Sequence, residues 1–151
     1  MLVLPSDIRD AIAERARAGA PEEICGILGG EFGPERSRVV SQYPAENAAE
    51  TPRTRYRIDP AEQLAIFDRL EGRGEAIVGF YHSHPRGPPR PSATDAARAT
   101  WPDRSYLIVS LEPSLEVGSW RWREGDDFGT PGADGVGDGR FERERLVLES
   151  E

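Results

Sequence analysis

Lysine is absent: every one of the 19 basic residues is arginine. Cysteine occurs once, at Cys25, which excludes an internal disulfide and any zinc cluster built from several thiolates. Histidine occurs only twice, so a metal, if one is bound, must be held by imidazole and carboxylate groups. Positive charge is in deficit. The 27 acids against 19 bases leave a net charge of −8, which speaks against nucleic acid or an anionic membrane as partner. No apolar run is long enough to cross a bilayer, and Met1-Leu2-Val3-Leu4 runs straight into Pro5-Ser6-Asp7 without the pattern of a secretory signal, so the cytoplasm is the expected compartment. Phosphate-binding loops of the G-K-[ST] or G-x-G-x-x-G kind are missing. So is the G-x-S-x-G elbow of a serine hydrolase, which leaves Ser83 or Ser92 a poor candidate for a nucleophile.

The 151 residues suit a single domain with a modest core. Ser6 can cap a helix that turns Ile8, Ala11, Ile12 and Ala16 inward and ends at Gly19. Glu23 to Leu28 reads as a strand, with Cys25 as a small buried hydrophobe. Gly29 to Pro34 turns into a second strand, Arg38 to Tyr43. The polar stretch 44–57 is a connection in which Arg53 and Arg55 are candidate substrate contacts. Asp59, Pro60 and Glu62 begin a helix whose core stripe is Leu64, Phe67 and Leu70, closed by Gly72. Tyr106 to Leu111 is apolar enough for a strand covered on both sides. Trp120 and Trp122 alternate with Arg121 and Arg123 as a half-buried strand. Residues 124–140, rich in Asp and Gly, read as a mobile acidic loop, and Phe141 to Leu148 as a closing edge strand. This order describes an α/β protein, a mixed β-sheet with about three helices against it.

Both histidines fall at the end of one further strand, Glu75 to His84, stopped by the proline-rich segment 85–91. Side chains at i and i+2 of a strand share a face, so His82 and His84 aim at one point. A helix opening at Ser92 puts Asp95 in its first turn, close enough to add a carboxylate. Two imidazoles and a carboxylate form a common catalytic zinc set that leaves a fourth position open. Ser92-x-x-Asp95 also fits a helix capping box, and the two roles are compatible. Glu23, taken alone, reads as a solvated acid at the head of its strand.

The block His82-Ser83-His84-Pro85, six further residues and Ser92-x-x-Asp95 resembles the H-[ST]-H-P-x6-S-x-x-D signature of the JAMM (MPN+, Mov34/PAD-1) zinc metalloproteases, with no position missing. Pro21-Glu22-Glu23-Ile24-Cys25-Gly26 is similar to the P-x-E-x-C-G context of that family's catalytic glutamate, which places the role on Glu23, with Glu22 as fallback. The resemblance implies a three-layer, cytidine-deaminase-like fold. It implies Zn2+ held by His82, His84 and Asp95, Glu23 as general base and Ser92 as oxyanion donor. It also implies cleavage after the C-terminal tail of a ubiquitin-like or sulfur-carrier protein. The alternative within the family is a non-catalytic MPN-type binding scaffold that keeps a structural metal. An enzyme that cuts isopeptide bonds to lysine would, in this lysine-free chain, offer no side chain for the same modification.

Overall fold

The structure is a computed structural model that describes residues 1–99, 101–124 and 139–150, the side chains of 96–98 excepted. The elements run β1 (Leu2–Pro5), α1 (Ser6–Gly19), β2 (Cys25–Glu31), β3 (Ser37–Ala45), α2 (Pro60–Gly72), β4 (Ala76–His84), α3 (Ala93–Arg98), β5 (Ser105–Ser110), β6 (Glu116–Glu124), β7 (Gly139–Glu144) and β8 (Leu146–Glu149). The eight strands form one mixed sheet in the order β7-β6-β5-β4-β2-β3-β1-β8. It is covered on both faces, which is the expected α/β class with three helices.

One face carries α1: Ile12 and Ala16 pack with Leu2, Leu4, Ile24, Leu28, Leu107 and Val109. The other carries α2, whose Ile66 and Leu70 pack with Ile27, Tyr43, Phe80 and Trp122. Strand β4 stands between β2, antiparallel, and β5, parallel. A register shift opposite Leu28 and Gly29 leaves Val78 unmatched, so Ile77 and Phe80 face α2 while Val78 and Tyr81 face α1. Beyond that bulge, regular alternation sends His82 and His84 to the α2 side. Gly79 permits the close approach of β4 to β5, since a Cβ there would run into the carbonyl oxygen of Ser105.

Several expectations are corrected. The N-cap of α1 is Pro5, with no side-chain bond, so Ser6 is inside the helix. Ala13 is turned inward where Ala11 was expected, because Ala11 lies one step past the buried stripe. In α2, Leu64 is 62% exposed and Ile66 takes its place beside Leu70. The single closing strand is two, β7 pairing β6 at one edge of the sheet and β8 pairing β1 at the other. Arg145 alone separates them, so the sheet curls until its two edges are one residue of chain apart. Arg121 is not on a wetted face: it is 1% exposed and makes an ion pair with Glu144 at 2.7 Å. Strand β1 had no counterpart in the sequence reading. The loop expected over 124–140 falls mostly on 125–138, outside the described residues.

Candidate metal centre

The end of β4 brings the two imidazoles together as alternation requires. His82 Nε2 and His84 Nε2 lie 3.2 Å apart, and each is 3.2 Å from the same oxygen, Oδ2 of Asp95. Asp95 reaches them because Ser92 ends the proline-rich segment and caps α3: Ser92 Oγ accepts from the Asp95 N–H at 3.1 Å, while Asp95 Oδ2 accepts from the Ser92 N–H at 2.8 Å. The capping box is therefore present, and it shares an oxygen with the triangle. The Ser92 hydroxyl hydrogen is not used in the cap.

The triangle suits a metal ion. Ligand atoms at the Zn–N and Zn–O bond lengths of a tetrahedral site stand about 3.3 Å from one another. The Nδ1 of His84 lies 3.0 Å from the Pro88 carbonyl, which can only accept, so this nitrogen carries a hydrogen, and in the neutral ring that a metal requires Nε2 is then the nitrogen with the lone pair. His82 is fully buried, and burial lowers its pKa, favouring the neutral ring a metal needs. The Tyr56 ring stacks on it at 4.4 Å and 20°. Burial works to raise the Asp95 carboxyl, but the hydrogen bonds from His82, His84 and the Ser92 N–H outweigh it and hold the group well below the usual carboxylate range.

Glu23 precedes β2 by two residues. Cys25 pairs with His82, so carrying the register back two places sets Glu23 opposite His84. The backbone is pinned there: Ile24 N–H donates to Ser83 Oγ at 2.8 Å, Ser83 N–H to the Ile24 carbonyl at 3.0 Å, Glu23 N–H to the Pro52 carbonyl at 2.7 Å, and the Asn47 amide to the Glu23 carbonyl at 2.9 Å. The side chain is buried, and its ligand atom lies within 4.8 Å of those of His82 and His84. Glu23 Oε1 and His82 Nδ1 are the two buried side-chain polar atoms without a hydrogen-bond partner among the described residues. Burial, against the pull of nearby His84, pushes the Glu23 carboxyl up to about 7. Glu22 is exposed.

A cleft of about 650 Å³ opens onto Glu23, His84 and Ser92. Arg53 lines it, together with Arg86 and Arg90, which the sequence reading did not single out. Arg55 lines a separate hollow with Ala48, Glu50 and Arg57. Tyr56 was also missed; no local spacing links it to His82.

Residues 5–124 match the family model for prokaryotic homologs of the JAB domain. The chain belongs to that family. Among curated proteins, this JAB domain is 42% identical over 131 residues to the desampylase of Haloferax volcanii, covering 84% of this chain and 91% of that one. It is 39% identical over 110 residues to the CysO-cysteine peptidase of Mycobacterium tuberculosis, 73% of each chain. A solution structure of a Desulfitobacterium hafniense protein superposes over 100% of this chain and 94% of its own, with a TM-score of 0.79 and 32% identity. The relatives' names are those of peptidases, which agrees with a metal-dependent hydrolase. No described helix is long and apolar enough to cross a membrane.

Proposed function

We propose that this JAB domain is a zinc metallopeptidase that hydrolyses the amide bond following the C-terminal tail of a ubiquitin-like or sulfur-carrier protein. The observation that carries the reading is the triangle of His82 Nε2, His84 Nε2 and Asp95 Oδ2, 3.2 Å on each side, beside the unpaired, buried carboxylate of Glu23. His82, His84 and Asp95 would hold Zn2+, whose Lewis acidity makes water a competent nucleophile near neutral pH.

The remaining work falls to the chain's own groups. Glu23, with a pKa near 7, accepts a proton from the attacking water at its free Oε1 and returns it to the departing amine. Ser92 Oγ accepts in the cap, which leaves the hydroxyl hydrogen free to turn toward the cleft that the residue lines, where it can meet an oxyanion. Names of the relatives, a desampylase and a CysO-cysteine peptidase, support a small carrier protein as substrate. An extended glycine tail, having no side chains to exclude, can come close to buried Glu23.

The test is cleavage of carrier fusions ending in Gly-Gly. Chelation should abolish it, added zinc restore it, and Glu23→Gln lower turnover by about 10²–10⁴-fold while zinc stoichiometry stays the same. Undiminished turnover in Glu23→Gln would remove the assigned base. A stoichiometric metal with no cleavage of any fusion would favour the scaffold reading.

A further inference from the structure

The cleft above Glu23 and His84 is lined by three guanidinium groups, those of Arg53, Arg86 and Arg90. All three residues are exposed, and none has a side-chain hydrogen bond or ion pair among the described residues. Other arginines are committed: Arg15 to the carbonyls of Cys25 and Ala45, Arg121 to Glu144, Arg123 to Asp103. Among the described residues, Glu23 is the sole acid lining the cleft. The entrance thus has the sign opposite to that of a chain carrying 27 acids and 19 bases.

Local charge decides what the entrance attracts. At physiological ionic strength the Debye length is about 8 Å, so a group entering the cleft meets these arginines while most of the chain's acids are screened. Guanidinium groups pair best with carboxylates, through two parallel hydrogen bonds. The arginines also bracket the cleft, Arg53 coming from the connection between β3 and α2, Arg86 and Arg90 from the segment between β4 and α3. In that second segment Pro85, Pro88, Pro89 and Pro91 fix the backbone φ, which reduces the entropy lost when a ligand orders it.

We propose that Arg53, Arg86 and Arg90 form a collar that recognises Asp and Glu side chains in the carrier's tail, just ahead of the terminal glycines. The collar deepens the peptidase reading and rests on it for the position of the scissile bond. Its binding test does not depend on turnover. Zinc-loaded, full-length Glu23→Gln protein is titrated with two carrier fusions, one with acidic residues before Gly-Gly and one with Asn and Gln in their place. The acidic tail should bind roughly tenfold tighter, and the advantage should shrink as salt rises. Arg53→Gln, Arg86→Gln and Arg90→Gln should each weaken acidic-tail binding by about two- to fivefold, and together erase the difference. Arg17→Gln, on α1, is the control and should preserve it.

Equal or undetectable binding of the two tails, or discrimination that survives the triple substitution, would overturn the collar. A further arm uses a single amino acid as leaving group, with its α-carboxylate free or amidated. If the arginine effect follows that carboxylate instead of the tail acids, the proposed recognition is wrong. Discrimination in binding without cleavage of either fusion by the unsubstituted enzyme would keep the collar and count against the peptidase.

Discussion

Two glutamates whose side chains are withdrawn from water are treated in opposite ways. Glu144 sits where the curled sheet closes: Oε1 accepts from Arg121 Nε at 2.7 Å and lies 3.0 Å from the N-terminal ammonium, while Oε2 accepts from Ser105 and Ser119 at 2.7 Å each. Burial works to raise its pKa, but these hydrogen bonds overcome it and the net shift is downward. Glu23 is also withdrawn from water, yet one of its oxygens has no partner and its pKa rises to about 7. The fold supplies hydrogen bonds to a carboxylate that joins strands and withholds them from the one beside the histidines. Burial alone therefore does not decide which way a carboxyl's pKa moves; the partners do.

The comparison breaks most sharply at Glu144. Replacing it by Gln leaves the Arg121 guanidinium buried without its counter-charge, which typically costs 3–5 kcal/mol, or about that much here. Urea unfolding should show the loss in the midpoint, with zinc binding by the folded fraction preserved. A loss below about 1 kcal/mol would mean that the carbonyls of Gly33, Asp103 and Met1, which also accept from Arg121, are enough to hold it.

Glu23→Gln should act in the reverse direction on the zinc-free protein. The ordinary value for this carboxyl is 4.5 and the folded value is about 7. Below pH 4.5 it is protonated in both folded and unfolded chains, so the substitution changes little. Between 4.5 and 7 the unfolded chain ionises first, and the folded state loses stability as pH rises; above 7 the penalty is constant. At about 1.4 kcal/mol per pKa unit, the Gln variant should be the more stable by up to about 3 kcal/mol at pH 8 and equal to the parent at pH 4. Melting curves of chelator-treated protein across that range read the difference directly. A gap independent of pH would place the cause in packing instead.

What the sequence made legible was local. His82 and His84 converge because alternation within one strand dictates it, and Asp95 joins them because a capping serine fixes where its helix begins. Asp59 and Pro60 marked the start of α2 for the same reason: the Asp59 side chain accepts from the Ala61 and Glu62 N–H groups. What escaped were relations between distant segments. Nothing near Tyr56 says that its ring will lie against His82. Trp120 to Arg123 alternates as an amphipathic strand should, but the curl of the sheet buries Arg121 against Glu144, which local pattern cannot foresee. The break between β7 and β8 has the same origin, since it requires knowing that the two edges of the sheet meet. Leu64 failed for a narrower reason: three apolar positions fitted a helical stripe, and the stripe that packs is rotated onto Ile66 and Leu70.

The smallest effect concerns how Glu23 is held. Ser83, between the two histidines, faces away from them and accepts the Ile24 N–H, so β4 itself fixes the backbone next to the acid. In Ser83→Ala that buried N–H loses its acceptor, while the reciprocal bond from the Ser83 N–H to the Ile24 carbonyl is unaffected. The expected cost is about 1 kcal/mol of stability. Zinc content should not change, because neither imidazole touches the hydroxyl. If Glu23 is the proposed base, turnover should nevertheless fall by about tenfold, well short of the loss in Glu23→Gln, since a modest displacement of a base weakens proton transfer without removing it. Unchanged turnover in a destabilised Ser83→Ala protein would show that the contacts of Pro52 and Asn47 suffice to position Glu23. A loss as deep as that of Glu23→Gln would show the opposite, that the acid is held in place chiefly from β4.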